Sequence, residues 1–272
     1  MIDTHLHLFD PVHHAFADDA PYRPLPHECA SWPELKSLLH RHGVKQAVLV
    51  APTAGYNHNL TPLTDTLRDA GTMLRGVARL RGDESEARLD ALAAQGVVGV
   101  RVDLRHDGAD AVTALSDARQ PQAWAQRDWF VQVQADTAIW AQVGEAVAAW
   151  PNDLVVDHCG WPDPRLGLQQ PGHAAVLALA NRGRTWLKLS GPFRFSRQPW
   201  PHADTDIYAQ RLVAAFGPQR CIWGSDWPFV RLPQQLDYGD VLKLLSRWVP
   251  DADARNIILT ASPRELLARG RP

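Results

Sequence analysis

Met1-Ile2-Asp3-Thr4-His5-Leu6-His7-Leu8 opens the chain. A short, largely apolar run of this kind reads as a β-strand, in which successive side chains point to opposite faces. His5 and His7 therefore share one face near the strand's end. Imidazole pairs suit a metal, a proton relay or an anionic substrate. They also occur as incidental residues at an exposed strand end. An open, doubly wound sheet favours a glycine-rich loop after its first strand. Here that position holds His-Leu-His, followed by Phe9, Asp10 and Pro11.

Seven more β-rich runs follow Ile2–His7: Gln46–Val50, Met73–Leu80, Val97–Leu104, Trp129–Gln134, Leu154–His158, Thr185–Ser190 and Cys221–Ser225. Most are nearly continuous apolar stretches, the pattern of strands covered on both faces. Between them lie helix-like segments, including Ser31–Arg41, Asn59–Ala70, Ser85–Ala94, Thr137–Ala149, Gly172–Arg182 and Asp204–Phe216. Ser31 and Thr137 are N-cap candidates, and Gly43, Gly71, Gly96 and Gly183 stand where helices should stop. Eight strands alternating with helices predict an α/β fold, a (β/α)8 TIM barrel, as a single domain over residues 1–272. The long segments Phe9–Ala30 and Gly191–His202 are expected over the C-terminal mouth, where such barrels place their sites.

Composition narrows the partners. A net charge of -2 without any lysine- or arginine-rich block gives no reason to expect nucleic acid. No apolar run is long enough for a membrane span, and the His pair lies too close to Met1 to leave room for a signal peptide. Cys29, Cys159 and Cys221 are widely spaced and odd in number, so they read as reduced thiols. The expectation is a cytoplasmic protein acting on a small molecule, without membrane partner. A homo-oligomer is compatible with all of this.

The strand ends collect polar groups. The first strand ends in His5 and His7, and the second leads into Thr53 and Tyr56. The fourth carries Arg101 and Asp103, then Arg105; the fifth ends in Gln132 and Gln134. The sixth ends in Asp157-His158, the seventh leads to Arg194, and the eighth runs into Gly224-Ser225-Asp226-Trp227-Pro228. Each has a bland explanation: a satisfied core histidine, an Arg101–Asp103 ion pair, or a helix N-cap at Ser225-Asp226. Their joint occurrence at the ends of separate strands converges on one place if the barrel closes.

Asp3-Thr4-His5-Leu6-His7, Val156-Asp157-His158 and Gly224-Ser225-Asp226-Trp227-Pro228 resemble the amidohydrolase superfamily. Asp157-His158-Cys-Gly-Trp-Pro-Asp163, Leu187-Lys188-Leu-Ser-Gly191-Pro-Phe-Arg194 and Trp223–Pro228 are similar to its 2-pyrone-4,6-dicarboxylate lactonase branch. The resemblance runs to Ala261-Ser262-Pro263-Arg264 and so spans essentially the whole chain. It implies an enzyme that hydrolyses a carboxylated lactone of aromatic degradation. Asp226 would be the general base, with His5, His7 and His158 as hydrogen-bonding catalytic partners. Arg101, Arg105 and Arg194 offer planar forks for substrate carboxylates. Tyr22, Thr53, Tyr56 and Gln134 are further candidates at the mouth.

The lactonase branch is metal-independent, and no cofactor is expected. Binuclear relatives carry a bridging Lys or Glu on strand four and a His on strand five; this chain has Arg101 and Asp103, then Gln132 and Gln134. The alternative is one divalent metal such as zinc on His5, His7 and Asp226, in a hydrolase or decarboxylase of the same superfamily acting on a sugar lactone or a muconolactone. The chain departs from the lactonase pattern at Gln134, where a Tyr is expected, and at Phe229, where a polar residue is usual.

Overall fold

A computed structural model describes residues 1–233 and 235–269. All eight expected strands form: β1 (Ile2–Leu6), β2 (Gln46–Val50), β3 (Leu74–Ala78), β4 (Val97–Asp103), β5 (Phe130–Gln134), β6 (Leu154–Val156), β7 (Thr185–Leu189) and β8 (Cys221–Trp223). They pair in parallel in sequence order. The seam between β8 and β1 is closed by backbone bonds from Asp226 N to His5 O (2.8 Å) and His7 N to Trp227 O (2.8 Å). Buried Asp3 pins this seam, accepting from the backbone N–H of His5 and of Ser225 (both 3.0 Å) and from the Tyr238 hydroxyl (2.8 Å).

The strand residues divide between two apolar cores. Residues such as Leu49, Val131, Val133, Leu187 and Leu189 face the helices, whereas Ile2, Val48, Val50, Val98, Phe130, Val155, Trp186 and Ile222 fill the lower barrel interior. A register irregularity between Asp3 and Leu6 lets Ile2 fill that base while His5 and His7 enter the same interior higher up. A second, where Gly76 and Val77 pair with Val97 and Gly99, does the same for Val98 below Arg101. An irregularity of this kind re-aims side chains, which is why strict alternation misplaces such residues.

The expected helices form with shifted ends. Ser31 caps the helix Trp32–Arg41, with its backbone N–H donating to Glu34 at 2.7 Å. The cap of Thr137–Ala148 is Asp136 rather than Thr137, because its carboxylate accepts from the N–H groups of Ala138 and Ile139. Gly172–Arg182 divides into Pro171–Ala178 and a tighter turn over Leu179–Arg182. Leu104–Asp107, Asp110–Asp117 and Gln120–Ala125 are three short helices that the apolar pattern did not announce. Among the described residues no helix is long and apolar enough to cross a membrane. The cysteines are free, with Cys159 and Cys221 buried.

Candidate active site

Above the apolar base, the barrel interior turns polar in two layers. In the lower layer, Lys188 on β7 lies 2.9 Å from Asp157 Oδ1, 2.6 Å from Gln132 Oε1 and 3.1 Å from His5 Nδ1. Gln132 and His5 accept two of the three ammonium protons, and the charge of Asp157 Oδ1 faces the third side as an ion pair. Gln132 Nε2 completes the set by donating to Asp157 Oδ2 at 2.8 Å. Burial alone would raise the Asp157 pKa; Lys188 and then His5 overcome it and hold the carboxyl well below the ordinary range. Burial, reinforced by Lys188, pushes His5 well below the usual imidazole value, so it is neutral.

These contacts fix the imidazole tautomers, assigned from the hydrogen-bond network. His5 Nδ1 accepts from Lys188, which places the ring proton on Nε2. That nitrogen lies 3.2 Å from His7 Nε2, and His7 Nδ1 lies 2.7 Å from the Val50 carbonyl, to which it donates. A single directed chain thus runs from Lys188 through His5 and His7 to the wall of the barrel. His5 and His7 are committed to each other, and neither offers a spare N–H.

The upper layer opens into a cavity of about 390 Å³ at the mouth, lined by His7, Thr53, Arg101, Asp103, Arg105, Gln134, His158, Arg194 and Asp226 among others. Asp226 is 2 % exposed and takes the Arg194 Nε–H on Oδ2 at 2.7 Å. Its Oδ1 sits 3.7 Å and 3.6 Å from the Nε2 atoms of His5 and His7. Burial raises its pKa, but the Arg194 guanidinium and then His158 outweigh that and hold it well below the carboxylate norm.

His158 enters from a left-handed turn in which His158, Cys159, Gly160 and Trp161 have φ of 49°, 55°, 70° and 48°. Such a run is costly for L-residues and persists where the surroundings enforce it. Gly191 makes room for the imidazole, since a Cβ there would lie 2.6 Å from His158 Nδ1. Nδ1 instead meets Ser190 Oγ at 2.9 Å; in the tautomer in which it accepts the hydroxyl proton, Nε2–H is the free donor. Burial lowers the His158 pKa to about 4, so this donor is a neutral imidazole at pH 7.

Arg101 donates to Gln134 Oε1 and lies 3.9 Å from Asp103, while Thr53 donates its hydroxyl to Asp103 at 2.6 Å. Both readings of Arg101 therefore hold together: it approaches Asp103 and also lines the cavity. Arg105 packs its guanidinium 3.8 Å above the Trp161 ring. Tyr22 lies outside the cavity lining and donates its hydroxyl to Glu28 at 2.6 Å. Tyr56 is buried and accepts from the Asp10 N–H at 2.9 Å. Gln132 was noted at the end of strand five and Lys188 inside a family motif, neither with a role; His106 and Arg231, which also line the cavity, carried no signal.

One divalent ion can be tested against this geometry. The three edges joining His5 Nε2, His7 Nε2 and Asp226 Oδ1 measure 3.2, 3.7 and 3.6 Å, close to the roughly 3.3 Å edge of a tetrahedral zinc site. The spacing fits. The proton pattern does not, because Lys188 donates to His5 Nδ1 and so puts a proton, not a lone pair, on His5 Nε2. Ligation by His5 needs that proton moved to Nδ1, facing Asp157 Oδ1 at 3.4 Å.

Eight parallel strands closed into a barrel, with a His-x-His pair facing an aspartate across the mouth, define the amidohydrolase class of site. The chain belongs to that family: the family model described as "Amidohydrolase" matches residues 2–269. The chain is 29 % identical to D-galactarolactone isomerase of Agrobacterium fabrum, across 97 % of this chain and 90 % of that protein. It is 27 % identical to 2-pyrone-4,6-dicarboxylate hydrolase of Comamonas testosteroni, across 97 % and 89 %. A crystal structure described as a probable 2-pyrone-4,6-dicarboxylic acid hydrolase of Acinetobacter baumannii, with citric acid bound, superposes with a TM-score of 0.86 at 28 % identity and 98 % coverage of both chains.

Proposed function

We propose that the protein is a lactonase that opens a ring lactone bearing carboxylates, with 2-pyrone-4,6-dicarboxylate as the first substrate to try. The observation that carries this reading is the charge of the cavity. Four arginines, Arg101, Arg105, Arg194 and Arg231, face two aspartates there, an excess of two positive charges in a chain whose net charge is -2. The relatives' names, a lactone isomerase and a pyrone-dicarboxylate hydrolase, support a lactone as the substrate, and the second supports its hydrolysis.

In this reading Asp226 takes a proton from water as the water oxygen bonds to the lactone carbonyl carbon. Negative charge develops on the carbonyl oxygen, and the His158 Nε2–H donates to it. The ring C–O bond then breaks, and the leaving enolate or alkoxide recovers the proton from Asp226. Arg194 links binding to this step. While it grips Asp226 it suppresses basicity; drawn onto a substrate carboxylate, it releases the base. His5 and His7 hold the position and proton pattern around Asp226.

The metal-dependent reading rests on the near-tetrahedral spacing of His5, His7 and Asp226. A divalent ion there would supply Lewis-acid polarisation of the carbonyl. A lactone panel tests the main proposal, with carboxylated pyrones, muconolactones and sugar lactones each followed before and after chelation. Turnover of carboxylated members that survives chelation is expected. Turnover confined to neutral lactones overturns it, and loss of activity together with stoichiometric zinc establishes the metal reading.

A further inference from the structure

Arg231 stands three residues after the Trp223–Pro228 motif, in the loop after β8, and so far enters only as one of the cavity's four positive charges. Its backbone adopts φ of 65°, a left-handed conformation costly for a bulky side chain. Buried Glu28, from the loop after β1, enforces it by accepting the Arg231 backbone N–H at 2.7 Å. The same carboxylate accepts the Tyr22 hydroxyl at 2.6 Å and the Leu25 N–H at 2.8 Å. Tyr22, so fixed, forms a shelf on which the Arg231 guanidinium lies 4.7 Å from the ring centroid.

The result is a positioned cation on the cavity wall. Beyond that stacking contact, the guanidinium reaches the Pro21 carbonyl at 3.4 Å and has no carboxylate partner among the described residues. Arg105 faces the same cavity, held 3.8 Å above Trp161 with its nearest carboxylate, Asp136, at 3.8 Å. Burial lowers the Arg105 pKa, Asp136 and then Asp103 counter it, and the charges of Arg194 and Arg231 press against them. Four guanidinium groups against two aspartates around one cavity leave a place for an anion between them. Of the two positions at which the chain departs from the lactonase pattern, Gln134 lines the cavity with its Oε1 taken by Arg101, and Phe229 is buried against Phe193, with ring centroids 5.7 Å apart.

We propose that Arg231, held by Glu28 and Tyr22 and acting with Arg105, is a specificity-determining residue that binds a second anionic group of the substrate, distal to the one taken by Arg194. The substrate is then a dianion across the ring. This rests on the lactonase reading for the nature of the ring, but not for its charge.

Binding of a ring that cannot be hydrolysed separates the two. Benzene-1,3-dicarboxylate and benzoate are titrated calorimetrically into the wild type, Arg231→Ala, Arg231→Lys and Glu28→Gln. The dicarboxylate should bind the wild type at least tenfold more tightly than benzoate. Arg231→Ala should lose roughly tenfold for the dicarboxylate and nothing for benzoate. Arg231→Lys should recover part of the loss, and Glu28→Gln should show a smaller loss confined to the dicarboxylate. Equal binding of both ligands by the wild type, including no detectable binding of either, overturns the proposal. So does an Arg231→Ala variant that binds the dicarboxylate like the wild type. Absence of lactone turnover would sink the lactonase reading and leave this result standing.

Discussion

Lys188 and Arg194 each pair with an almost fully buried aspartate, one in the lower polar layer and one at the mouth. Around Lys188 the ion pair balances in charge, Gln132 and His5 accept its protons, and the adjoining histidine is neutral. Around Arg194 the balance fails: three more arginines share its cavity with one further aspartate. The lower layer is thus balanced in charge without a ligand, and the upper one is not. In buried polar clusters, satisfaction of hydrogen bonds and charge separates what holds a fold from what awaits a substrate.

Substitutions can break this contrast. Asp226→Asn should lower turnover by about 10³- to 10⁴-fold while dicarboxylate binding changes little, since Asn keeps the shape but not the base. Steady-state kinetics beside calorimetry would show it, and near-wild-type turnover would remove Asp226 from its role. Lys188→Met should act on stability instead. It leaves Asp157 as an unpaired buried charge, which costs about 3–5 kcal/mol, and Asp157→Leu in the same chain should recover much of that. A denaturant midpoint unchanged by Lys188→Met would make the two layers alike. Arg194→Ala should weaken carboxylate binding by about 1.5–3 kcal/mol, with a smaller loss of stability than Lys188→Met.

A gentler probe is pH. His158 has its folded pKa lowered to about 4 by burial, against an ordinary value of 6.5. Between those values the unfolded chain binds a proton that the folded one refuses, so stability falls as pH drops from about 6.5 towards 4, by roughly 3 kcal/mol in all. Asp157 and Asp226, both depressed, add losses that begin as pH falls through the ordinary carboxylate range and continue to lower pH. Unfolding curves of His158→Gln across pH 4–7 should be flatter than those of the wild type.

How far the sequence reaches follows the same division. The strands were readable because continuous apolar runs leave little choice of element, and the mouth residues because they end those runs. Strand ends were overestimated where the chain leaves the sheet abruptly, as at His158, whose left-handed turn only Gly160 hints at. The lower network was hidden because Gln132, Asp157, Lys188 and His5 meet only through the registers of four strands. Tyr22 was recognised as polar and near the mouth, but its partner Glu28 turns it into a support for Arg231. Loops lack periodicity, so nothing in the chain announces such a contact. The roles given to His5 and His7 shift for a similar reason: their tautomers depend on Lys188, more than 180 residues away.

The most direct test compares chelator-treated wild type and Asp226→Asn side by side on the carboxylated lactone the panel selects, following loss of ring absorbance. The account predicts ring opening by the metal-free wild type at an undiminished rate and essentially none by the variant. Ring opening at equal rates in both, or none by the wild type until a divalent metal is restored, would contradict it.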